Sequence, residues 1–526
     1  MKAKIQVVLC KCCTEMPALL NMERLQKLAA GSNNVLSVLT VDAVCDGKEL
    51  AALTNDAKEK EIDRAVVLAC HKKDISPALL KAYKRAGVNE FLVEFVNIRE
   101  EAVLPHICEP EMAQTKAEAK LKAALARSVM LSPLEKQTEE MKTRNVVIIG
   151  AGVAGQAAAL EASKAGVHTI LLEKTGKTVK APGVIVTHGQ LLGASGYGGN
   201  YQLKIKAGEK VEELGAAAVV IATGGGWTTL KGPLAKAVKD ALPLYKFYEQ
   251  MQGGSAPKGP VIIADTPDPG GKTLKVQDYA WDDTLDTAIE LKKKHPETQI
   301  FVVFQEMRAF GLSELTYKEA ADLGVRFVRY DRTGTPKIDS RNPTTMSVKD
   351  CTQGEVLNIK FGTLVFASIP PNQDNKAIAD AFRIPMSVDG AIRRGSIQRW
   401  PVSTPRPGIF VCGSALFPKS REVAESEGVA AGAMAGEFVK RGKIEFGGIV
   451  AQVEQEKCSA CLTCVRTCPY EAPFIGTASK AEIRVQACQG CGMCVGICPS
   501  KAIELHNYTD DQIMEETRIL LGGGSQ

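Results

Sequence analysis

Cysteine spacing near the C-terminus points to iron–sulfur chemistry. Two segments, residues 458–469 and 488–499, share the pattern C-x2-C-x2-C-x3-C-P. Three thiolates at three-residue intervals can wrap one corner of an iron–sulfur cube, and the fourth cysteine, after a longer gap, is placed to ligate the other cube. The pattern therefore predicts two [4Fe–4S] clusters with crossed ligands. The first set is Cys458, Cys461, Cys464 and Cys498, and the second is Cys468, Cys488, Cys491 and Cys494.

A pair of zinc sites is the alternative interpretation of these cysteines, because C-x2-C is also a zinc spacing. Zinc needs only four thiols per site and has no use for the duplicated Cys-Pro ending. The pattern therefore favours a ferredoxin module with two clusters.

A second motif predicts a dinucleotide site. Gly150, Gly152 and Gly155 form G-x-G-x-x-G between the apolar run NVVIIG and a helical pattern. The first glycine makes the tight turn, the second lets a pyrophosphate approach the backbone, and the third lets the helix pack on its strand. The helix N-terminus, at Val153 and Ala154, attracts the phosphate charge. The alternative is a glycine-rich turn that binds nothing.

The end of the next strand supplies the ribose side of this site. Glu173 follows Gly150 by 23 residues, and Lys174 comes directly after it. A carboxylate at this place accepts hydrogen bonds from ribose hydroxyl groups. We therefore include both residues in the predicted cofactor site.

Two further features favour FAD over NAD as the dinucleotide. Ala222, Thr223 and Gly224 end an apolar strand, as in flavoproteins with two dinucleotide domains. Gly413 follows another apolar run and precedes a helix of small residues, where such flavoproteins bring a helix N-terminus to the flavin. The neighbouring Cys412 lies in the apolar run and is expected in the core.

The N-terminal region holds scattered cysteines of a different kind. Cys10, Cys12, Cys45 and Cys70 each lie at or just after the end of a strand-like run. Parallel strands align their carboxyl ends on one edge, so these thiols could converge there. Cys13 could take the place of Cys12. The alternative is free cysteine in an α/β core, and spacing leaves both interpretations open.

The elements that would position these residues are those of an α/β protein. Apolar strand-like runs alternate with helical patterns in the first 110 residues and recur from Asn145 onward. We predict a Rossmann-like flavoprotein core with two dinucleotide domains, a small N-terminal α/β domain and a C-terminal two-cluster ferredoxin module of α+β type. The predicted boundaries are an N-terminal domain over 1–111, a connecting helix over 112–143, a flavoprotein core over 144–441, and the ferredoxin domain with its tail over 442–526.

Composition excludes several classes of function. The 526 residues are 45% hydrophobic and 24% charged, with a net charge of only +5, so neither nucleic acid nor an anionic membrane surface is indicated. No signal peptide layout and no membrane-spanning stretch is evident in the sequence. The chain has sixteen cysteines, and the spacing of half of them predicts metal ligands rather than disulfides. This favours a reducing compartment, so we expect a cytoplasmic protein.

Motifs along nearly the whole chain, taken together, resemble the heterodisulfide reductase A subunit. The N-terminal motifs are CKCC, AVC at 43–45, LACHKKD at 69–75 and EFVNIREE at 94–101. The others are GAGVAG, the segment 307–327, FPKS around Lys419, the tandem cysteine motifs and HNYTDDQI. The resemblance implies FAD, several [4Fe–4S] clusters and a role as the electron-distributing component of a larger complex.

The resemblance also implies roles for residues that spacing leaves open. It makes Cys10, Cys12, Cys45 and Cys70 the ligands of a third cluster. It places Lys419 close to the flavin ring, where a cation stabilises a reduced, anionic flavin. The partners it implies are the other subunits of the complex, with a homodimer of this chain within it.

The chain departs from the family pattern in three places. The segment after Glu173 lacks the second Gly-Gly and the cysteine-bearing insertion, and VQDYAWDDTLD at 276–286 replaces a cysteine-rich stretch. ASIPP at 367–371 stands where an Ala-Thr-Gly turn is expected. The cluster of the insertion is therefore expected to be absent, which leaves three.

The main functional hypothesis is an oxidoreductase subunit that passes electrons between FAD and its clusters. A self-contained NAD(P)H oxidoreductase with a pyridine nucleotide site in the 216–330 region is the first alternative. It would need a second glycine fingerprint, which GGGWTT at 224–229 does not supply. The second alternative is a scaffold that conducts through its clusters without flavin.

Overall fold

The apolar runs at the start of the chain form parallel strands in the computed structural model, as their continuous hydrophobic patterns predict. The elements are β1 (Ile5–Cys10), α1 (Glu15–Leu19), α2 (Met22–Ala30), β2 (Val35–Val41), α3 (Leu50–Glu59), β3 (Arg64–Ala69), α4 (Lys72–Arg85) and β4 (Val93–Asn97). The sheet has the order β2-β1-β3-β4 with every pair parallel. The carboxyl ends of its strands therefore share one edge.

The structure describes most of the chain. The described residues are 3–12, 15–176, 182–225, 234, 238, 240–265, 280–331, 334–340, 342–367, 372–388, 390–396, 401–417 and 419–522.

The helix predicted over 112–143 is shorter than expected. It spans Pro110–Met130 (α5), with proline in its first turn, where the missing N–H costs nothing. Leu131 is already extended, with φ −71° and ψ 143°, and Pro133 follows two residues later. Ser132, the residue before this proline, avoids helical angles, and the proline itself cannot donate a backbone N–H. The helix therefore ends before it, and a strand, β5 (Lys136–Glu140), comes next.

The glycine motif lies in a second parallel sheet, between β6 (Asn145–Ile149) and α6 (Val153–Lys164). The following strands are β7 (His168–Glu173), β8 (Val184–His188), β9 (Gln190–Tyr197), β10 (Asn200–Ala207), β11 (Lys210–Ala216) and β12 (Ala218–Ile221). Strands β9 to β11 form an antiparallel sheet of their own, which the sequence patterns did not predict.

A third sheet, again parallel, follows along the chain. Its region contains β13 (Leu242–Pro243), α7 (Leu244–Gln252), β14 (Val261–Asp265), α8 (Ala280–Lys294), β15 (Ile300–Phe304), α9 (Ser313–Asp322), β16 (Arg326–Arg329), β17 (Lys337–Ile338), β18 (Thr345–Lys349), β19 (Val356–Lys360) and β20 (Thr363–Phe366). The sheet order is β13-β20-β14-β15-β16, and β17 to β19 form a separate antiparallel sheet. Strands β14, β15, β16 and β20 are among the apolar strand-like runs that the sequence predicts from Asn145 onward.

The chain then returns to the second sheet. After α10 (Asp374–Phe382), strand β21 (Ile409–Val411) completes the order β21-β12-β6-β7-β8, and α11 (Arg421–Lys440) packs along α6. The small residues of α11 explain this close packing. A Cβ at Gly428 would lie 2.3 Å from the Ala154 carbonyl oxygen, and one at Gly432 would lie 2.3 Å from that of Ala158.

The C-terminal cysteine motifs form a compact module with two antiparallel strand pairs. Its elements are β22 (Lys443–Gly447), β23 (Ala451–Val453), α12 (Thr463–Thr467), β24 (Pro473–Ile475), β25 (Ala481–Ile483), α13 (Met493–Gly496), β26 (Ile503–Leu505) and α14 (Asp510–Leu520). Strand β23 pairs with β26, and β24 pairs with β25.

The chain divides into two compact units. One consists of residues 1–138 together with 445–526, and the other of residues 139–444. The N-terminal sheet and the ferredoxin module therefore belong to the same unit, in which α14 packs on α5. Among the described residues, no helix combines the length and the apolar character that crossing a bilayer requires.

Candidate cofactor sites

The eight C-terminal cysteines surround two separate cavities. The empty space in and around them, including space open to solvent, is about 310 Å³ in one and about 350 Å³ in the other. The cysteines lining the first are Cys458, Cys461, Cys464 and Cys498, and those lining the second are Cys468, Cys488, Cys491 and Cys494. Each cavity thus takes three sulfurs from one motif and the fourth from the other, which is the grouping that the spacing predicts.

Backbone conformation turns the cysteine loops around these cavities. Leu462 and Gly492, at equivalent places in the two motifs, both have left-handed backbones, with φ 59° and 72°, directly before α12 and α13. Gly492 adopts this region without strain, whereas Leu462 carries the steric strain of a side chain there. The reversal lets consecutive cysteines of a short loop face the same space.

The sulfurs also meet hydrogen-bond donors. The Ala502 N–H lies 3.3 Å from Cys498 Sγ, and the Ala451 N–H lies 3.5 Å from Cys488 Sγ. The Thr463 hydroxyl donates to Cys461 Sγ at 3.4 Å, and this bond lowers the pKa of Cys461. Such donors favour thiolate, the form that binds iron, and they raise the potential of a bound cluster.

The electrostatics of the second cavity fit a bound cationic group. Burial, and then the charges of Cys488 and Cys468, raise the pKa of Cys494 to about 11. Four crowded thiols oppose one another's ionisation, and iron would relieve that opposition. The donor set and its environment therefore fit [4Fe–4S] clusters. Within the described ranges, no three or more His, Cys, Asp or Glu side chains are arranged to hold a single metal ion.

The N-terminal cysteines converge at the carboxyl edge of the first sheet. Cys10, at the end of β1, is buried, and its Sγ lies 3.4 Å from Cys12 Sγ. Cys12, with φ 44°, also shares a hydrogen bond with Cys70 at the end of β3. Cys45 is exposed, but its charge still acts on the pKa of Cys70. The four predicted thiols therefore lie in one region, while Cys13 lies outside the described residues.

Local hydrogen bonds prepare one of these thiols as a ligand. The hydrogen bond from Cys12 lowers the pKa of Cys10 to about 6, although burial opposes the change. The Val44 N–H also donates to Cys10 Sγ at 3.4 Å. A thiolate with further thiols in contact has the donor chemistry of an iron–sulfur site.

The glycine turn has the geometry that a dinucleotide needs. A Cβ at Gly155 would lie 1.8 Å from the Gly150 carbonyl oxygen, so only glycine lets α6 come this close to the turn. Gly150 has φ +107° and faces the Ala222 carbonyl oxygen, which a Cβ would approach to 2.4 Å. At Gly152, the N-terminal cap of α6, a Cβ would meet nothing within 4 Å. The open side of the turn is therefore where a pyrophosphate would approach, beside Val153 and Ala154.

Glu173 is held at the end of β7 and is 7% exposed. It accepts hydrogen bonds from the Ala151 N–H at 3.0 Å and from the Thr175 N–H and hydroxyl at 2.7 and 2.6 Å. Burial alone would raise its pKa, but the bonds from Thr175 and Ala151 lower it. The side chain is thus an ionised acceptor tied to the glycine turn. Lys174 forms an ion pair with Asp374 at the start of α10.

The turn after β12 is fixed by asparagines that the sequence analysis missed. The Thr223 hydroxyl donates to Asn375 Oδ1 at 2.7 Å, and Asn372 Nδ2 donates to the Thr223 carbonyl oxygen at 2.8 Å. Asn375 is fully buried. Ala222 is buried, and Gly224 has φ +71°. The asparagines follow the segment ASIPP, whose residues 368–371 lie outside the described ones, and no motif marks them.

The turn after β21 holds a buried ion pair. Lys419 is 2% exposed, and its Nζ pairs with Glu427 and lies 3.9 Å from the centroid of the Phe417 ring. Burial lowers the pKa of Lys419, and Glu427 opposes that change. Glu427 Oε2 also accepts a hydrogen bond from the Gly413 N–H at 2.9 Å. The sequence analysis identified Lys419 and Gly413 but missed Glu427. An acidic residue within a helix of small residues is the feature of the sequence that could have indicated it.

Cys412 is fully buried, as expected for a core residue, and burial raises its pKa to about 12. The glycine turn, Glu173, the Thr223 turn and the Gly413 turn all follow the carboxyl ends of neighbouring strands in one parallel sheet. Ligands of such folds bind at that edge. These residues therefore fit FAD.

The predicted alternative site for a pyridine nucleotide is only partly described. Of GGGWTT at 224–229, the structure describes residues 224 and 225.

Comparison with known protein families agrees with both cofactor sites. Residues 145–196 match a family described as "FAD binding domain", and residues 451–499 match one described as "4Fe-4S dicluster domain". Among solved structures, thioredoxin reductase of Lactococcus lactis is 20% identical, with a TM-score of 0.39 over 56% of this chain and 99% of that one.

Curated relatives are similar over almost the whole chain. An iron–sulfur A subunit of CoB–CoM heterodisulfide reductase from Methanopyrus kandleri is 24% identical over 89% of this chain and 90% of its own length. The A subunit of the H2:CoB–CoM heterodisulfide, ferredoxin reductase from Methanothermobacter marburgensis is 25% identical over the same shares. A protein of Archaeoglobus profundus, named for its likeness to the heterodisulfide reductase A subunit, is 24% identical over 99% of this chain and 98% of its own. The chain is therefore similar, over most of its length, to heterodisulfide reductase A subunits and to a protein named for its likeness to them.

Proposed function

We propose that this protein is an oxidoreductase subunit that carries electrons between a bound FAD and its iron–sulfur clusters, and from these to partner subunits. A flavin supplies exchange of electrons in pairs or singly, and clusters accept them one at a time. The chain provides the place for each: the edge of the second sheet for FAD and the cysteine cavities for the clusters. The observation that carries the proposal is the pair of cavities with crossed cysteines in a chain that also has the FAD-type glycine turn.

The residues have distinct roles in this proposal. Gly152, Val153 and Ala154 present backbone N–H groups to the pyrophosphate, and Glu173 accepts from the ribose. Thr223 and Gly413 border the site at the ends of β12 and β21. Lys419 places a cation beside the flavin end, where it acts on the potential.

The proposed cofactor content is one FAD and three [4Fe–4S] clusters. Two clusters occupy the cavities of the ferredoxin module. The third is held by Cys10, Cys12, Cys45 and Cys70, which the contacts among Cys10, Cys12 and Cys70 support. Thiolate-bound clusters require a reducing compartment, so a cytoplasmic location is part of the proposal.

Partners are also part of the proposal. The relatives are named as components of heterodisulfide reductases. We infer that this chain also acts within such a complex, and that two copies of it form a homodimer there. The substrate chemistry in those names belongs to the relatives, and for this chain we propose only the electron-transfer role.

Anaerobic purification of the full chain tests the function. We expect one extractable FAD and about twelve iron and twelve labile sulfide per chain, as three [4Fe–4S] clusters require. Zinc in place of iron and sulfide would overturn the proposal. Clusters without extractable flavin would instead support a scaffold that conducts through its clusters. Steady-state oxidation of NAD(P)H by the isolated chain would support the self-contained oxidoreductase.

A further inference from the structure

The buried lysine beside the flavin site does not act alone. Lys419 Nζ and the Gly413 N–H both donate to the same carboxylate oxygen, Glu427 Oε2. The lysine side chain has no exposed surface, and that of Glu427 is 14% exposed. Because a charge in such surroundings is screened little, the two opposite charges compensate each other strongly.

This pair lies against the dinucleotide turn. A Cβ at Gly413 would lie 2.9 Å from Ala154 Cβ, and a Cβ at Gly428, next to Glu427, would lie 2.3 Å from the Ala154 carbonyl oxygen. Ala154 is in the first turn of α6, which follows the glycine motif. Gly413, which donates a hydrogen bond to Glu427, and the backbone next to Glu427 thus both border the place proposed for FAD.

The surroundings of the pair include a second cation and a neutral thiol. Arg394 lies over the ring of Phe417 at 5.3 Å, and Lys419 lies over the same ring at 3.9 Å. Burial keeps Cys412, the residue before Gly413, a neutral thiol because it raises the pKa to about 12. The carboxylate of Glu427 thus pairs with Lys419, and Arg394 adds a second positive charge at the Phe417 ring.

We propose that Glu427 is a positioning residue that holds Lys419 in place and neutralises it, so that this buried pair lowers the potential of the bound flavin relative to a site with a free lysine. Reduction of FAD by two electrons and one proton leaves one additional negative charge on the ring. A free cation would stabilise that charge, and the compensated pair stabilises it less. The inference rests on the proposed binding of FAD.

Three variants of the full chain test this inference by the midpoint potential of the bound flavin. Glu427→Gln keeps an acceptor for the Gly413 N–H but removes the negative charge. We therefore expect the midpoint potential to rise by about 30 mV or more, which is a tenfold change in the equilibrium constant of a two-electron couple. Lys419→Met leaves the carboxylate uncompensated and should lower the potential. The double variant restores a neutral pair and should return to the wild-type potential.

The matched control is Glu425→Gln, an exposed acidic residue two positions earlier on α11, which should leave the potential unchanged. The dissociation constant of FAD gives a second measurement, since Glu427→Gln should bind the anionic cofactor more tightly. A flavin potential in Glu427→Gln equal to that of the wild type, with FAD bound, would overturn the inference. Wild-type protein that binds no FAD would instead overturn the proposed function.

Discussion

At the scale of single residues, the glycine turn separates two kinds of requirement. Gly155 is needed for packing, because a Cβ there would lie 1.8 Å from the Gly150 carbonyl oxygen and 3.3 Å from Ala222 Cβ. Packing does not require a glycine at position 152, because a Cβ there would meet nothing within 4 Å, and we propose that the ligand does. One motif therefore contains a structural glycine and a proposed binding glycine.

This difference gives a paired prediction. Gly155→Ala should move α6 from its strand, lower the free energy of unfolding by about 1–3 kcal/mol and abolish FAD retention. Gly152→Ala should leave stability within about 0.5 kcal/mol, because its φ of −70° suits alanine. It should still weaken FAD binding about tenfold or more, since the methyl group stands where the pyrophosphate approaches.

Thermal unfolding of the apoprotein and titration with FAD measure the two effects separately. Each variant serves as the control for the other. A Gly152→Ala protein that retains FAD as well as the wild type would show that the open side of the turn is not the phosphate site.

Residues whose role is local could be predicted from sequence, and residues whose role depends on tertiary contact could not. The glycines and cysteines stand in fixed spacings, because the turn and the cluster impose them. Glu427 lies eight residues from Lys419, and only the direction of α11 brings their charges together. Asn372 and Asn375, near the start of α10, bond to Thr223 from about 150 positions away in sequence. No spacing rule reveals such a contact.

At the scale of elements, each cysteine motif depends on the other. In each motif, the last cysteine follows a longer gap than the others. It therefore lies beyond the cavity that the first three cysteines line and contributes to the cavity of the other motif. Cys468 therefore joins the cavity of the second motif, and Cys498 joins that of the first. Each cavity includes a residue from both halves of the module.

Pairs of substitutions test the crossing. Cys458→Ser with Cys498→Ser should damage only one cluster, because both sulfurs line the same cavity. Cys458→Ser with Cys468→Ser should damage two clusters, although both changes lie in the first motif. Iron and sulfide counts on anaerobic protein should thus show about four fewer irons in the first variant and about eight fewer in the second.

The single variants Cys458→Ser and Cys498→Ser are the controls for this comparison. Equal iron losses in the two double variants would contradict the crossed arrangement.

Elements with continuous apolar patterns were also predictable, as β1, β6 and β14 illustrate. These strands are buried on both faces, so their sequences alone identify them. Strand β11 was not predictable, because four of its seven residues are exposed and it forms through pairing with β10. The end of α5 was also missed, since its Ala- and Lys-rich pattern continues in character past the point where Pro133 stops it.

At the scale of the whole molecule, the ferredoxin module and the N-terminal domain form one unit. Arg127 of α5 is 3% exposed, forms an ion pair with Glu94 of β4, and donates to the Asn507 carbonyl oxygen at 2.7 Å. Its guanidinium also lies 4.5 Å from the centroid of the Tyr508 ring. Segments that are far apart in sequence are thus joined by buried polar contacts.

Asn507 completes this junction. Its Oδ1 accepts from the Ser132 N–H at 2.9 Å, and its Nδ2 donates to the Ser132 carbonyl oxygen at 3.0 Å. The residue is 5% exposed and has φ 58°, a conformation that asparagine and glycine tolerate better than other residues. The junction keeps the proposed N-terminal cluster and the ferredoxin clusters on one folded body.

Loss of the Asn507 side chain should loosen this body without changing its backbone. Asn507→Gly keeps the left-handed conformation but removes both bonds to Ser132, at a cost of about 1–3 kcal/mol. We expect amide hydrogen exchange over 125–132 and 503–512 to accelerate about tenfold or more, since about 1.4 kcal/mol is a tenfold change in the equilibrium constant for local opening. Asn34→Gly is the matched control, because Asn34 is also left-handed, with φ 66°, and lies outside the junction. If exchange in these segments were equal in the two variants, the side chain of Asn507 would not hold the module to the N-terminal domain, and the junction would depend on Arg127 instead.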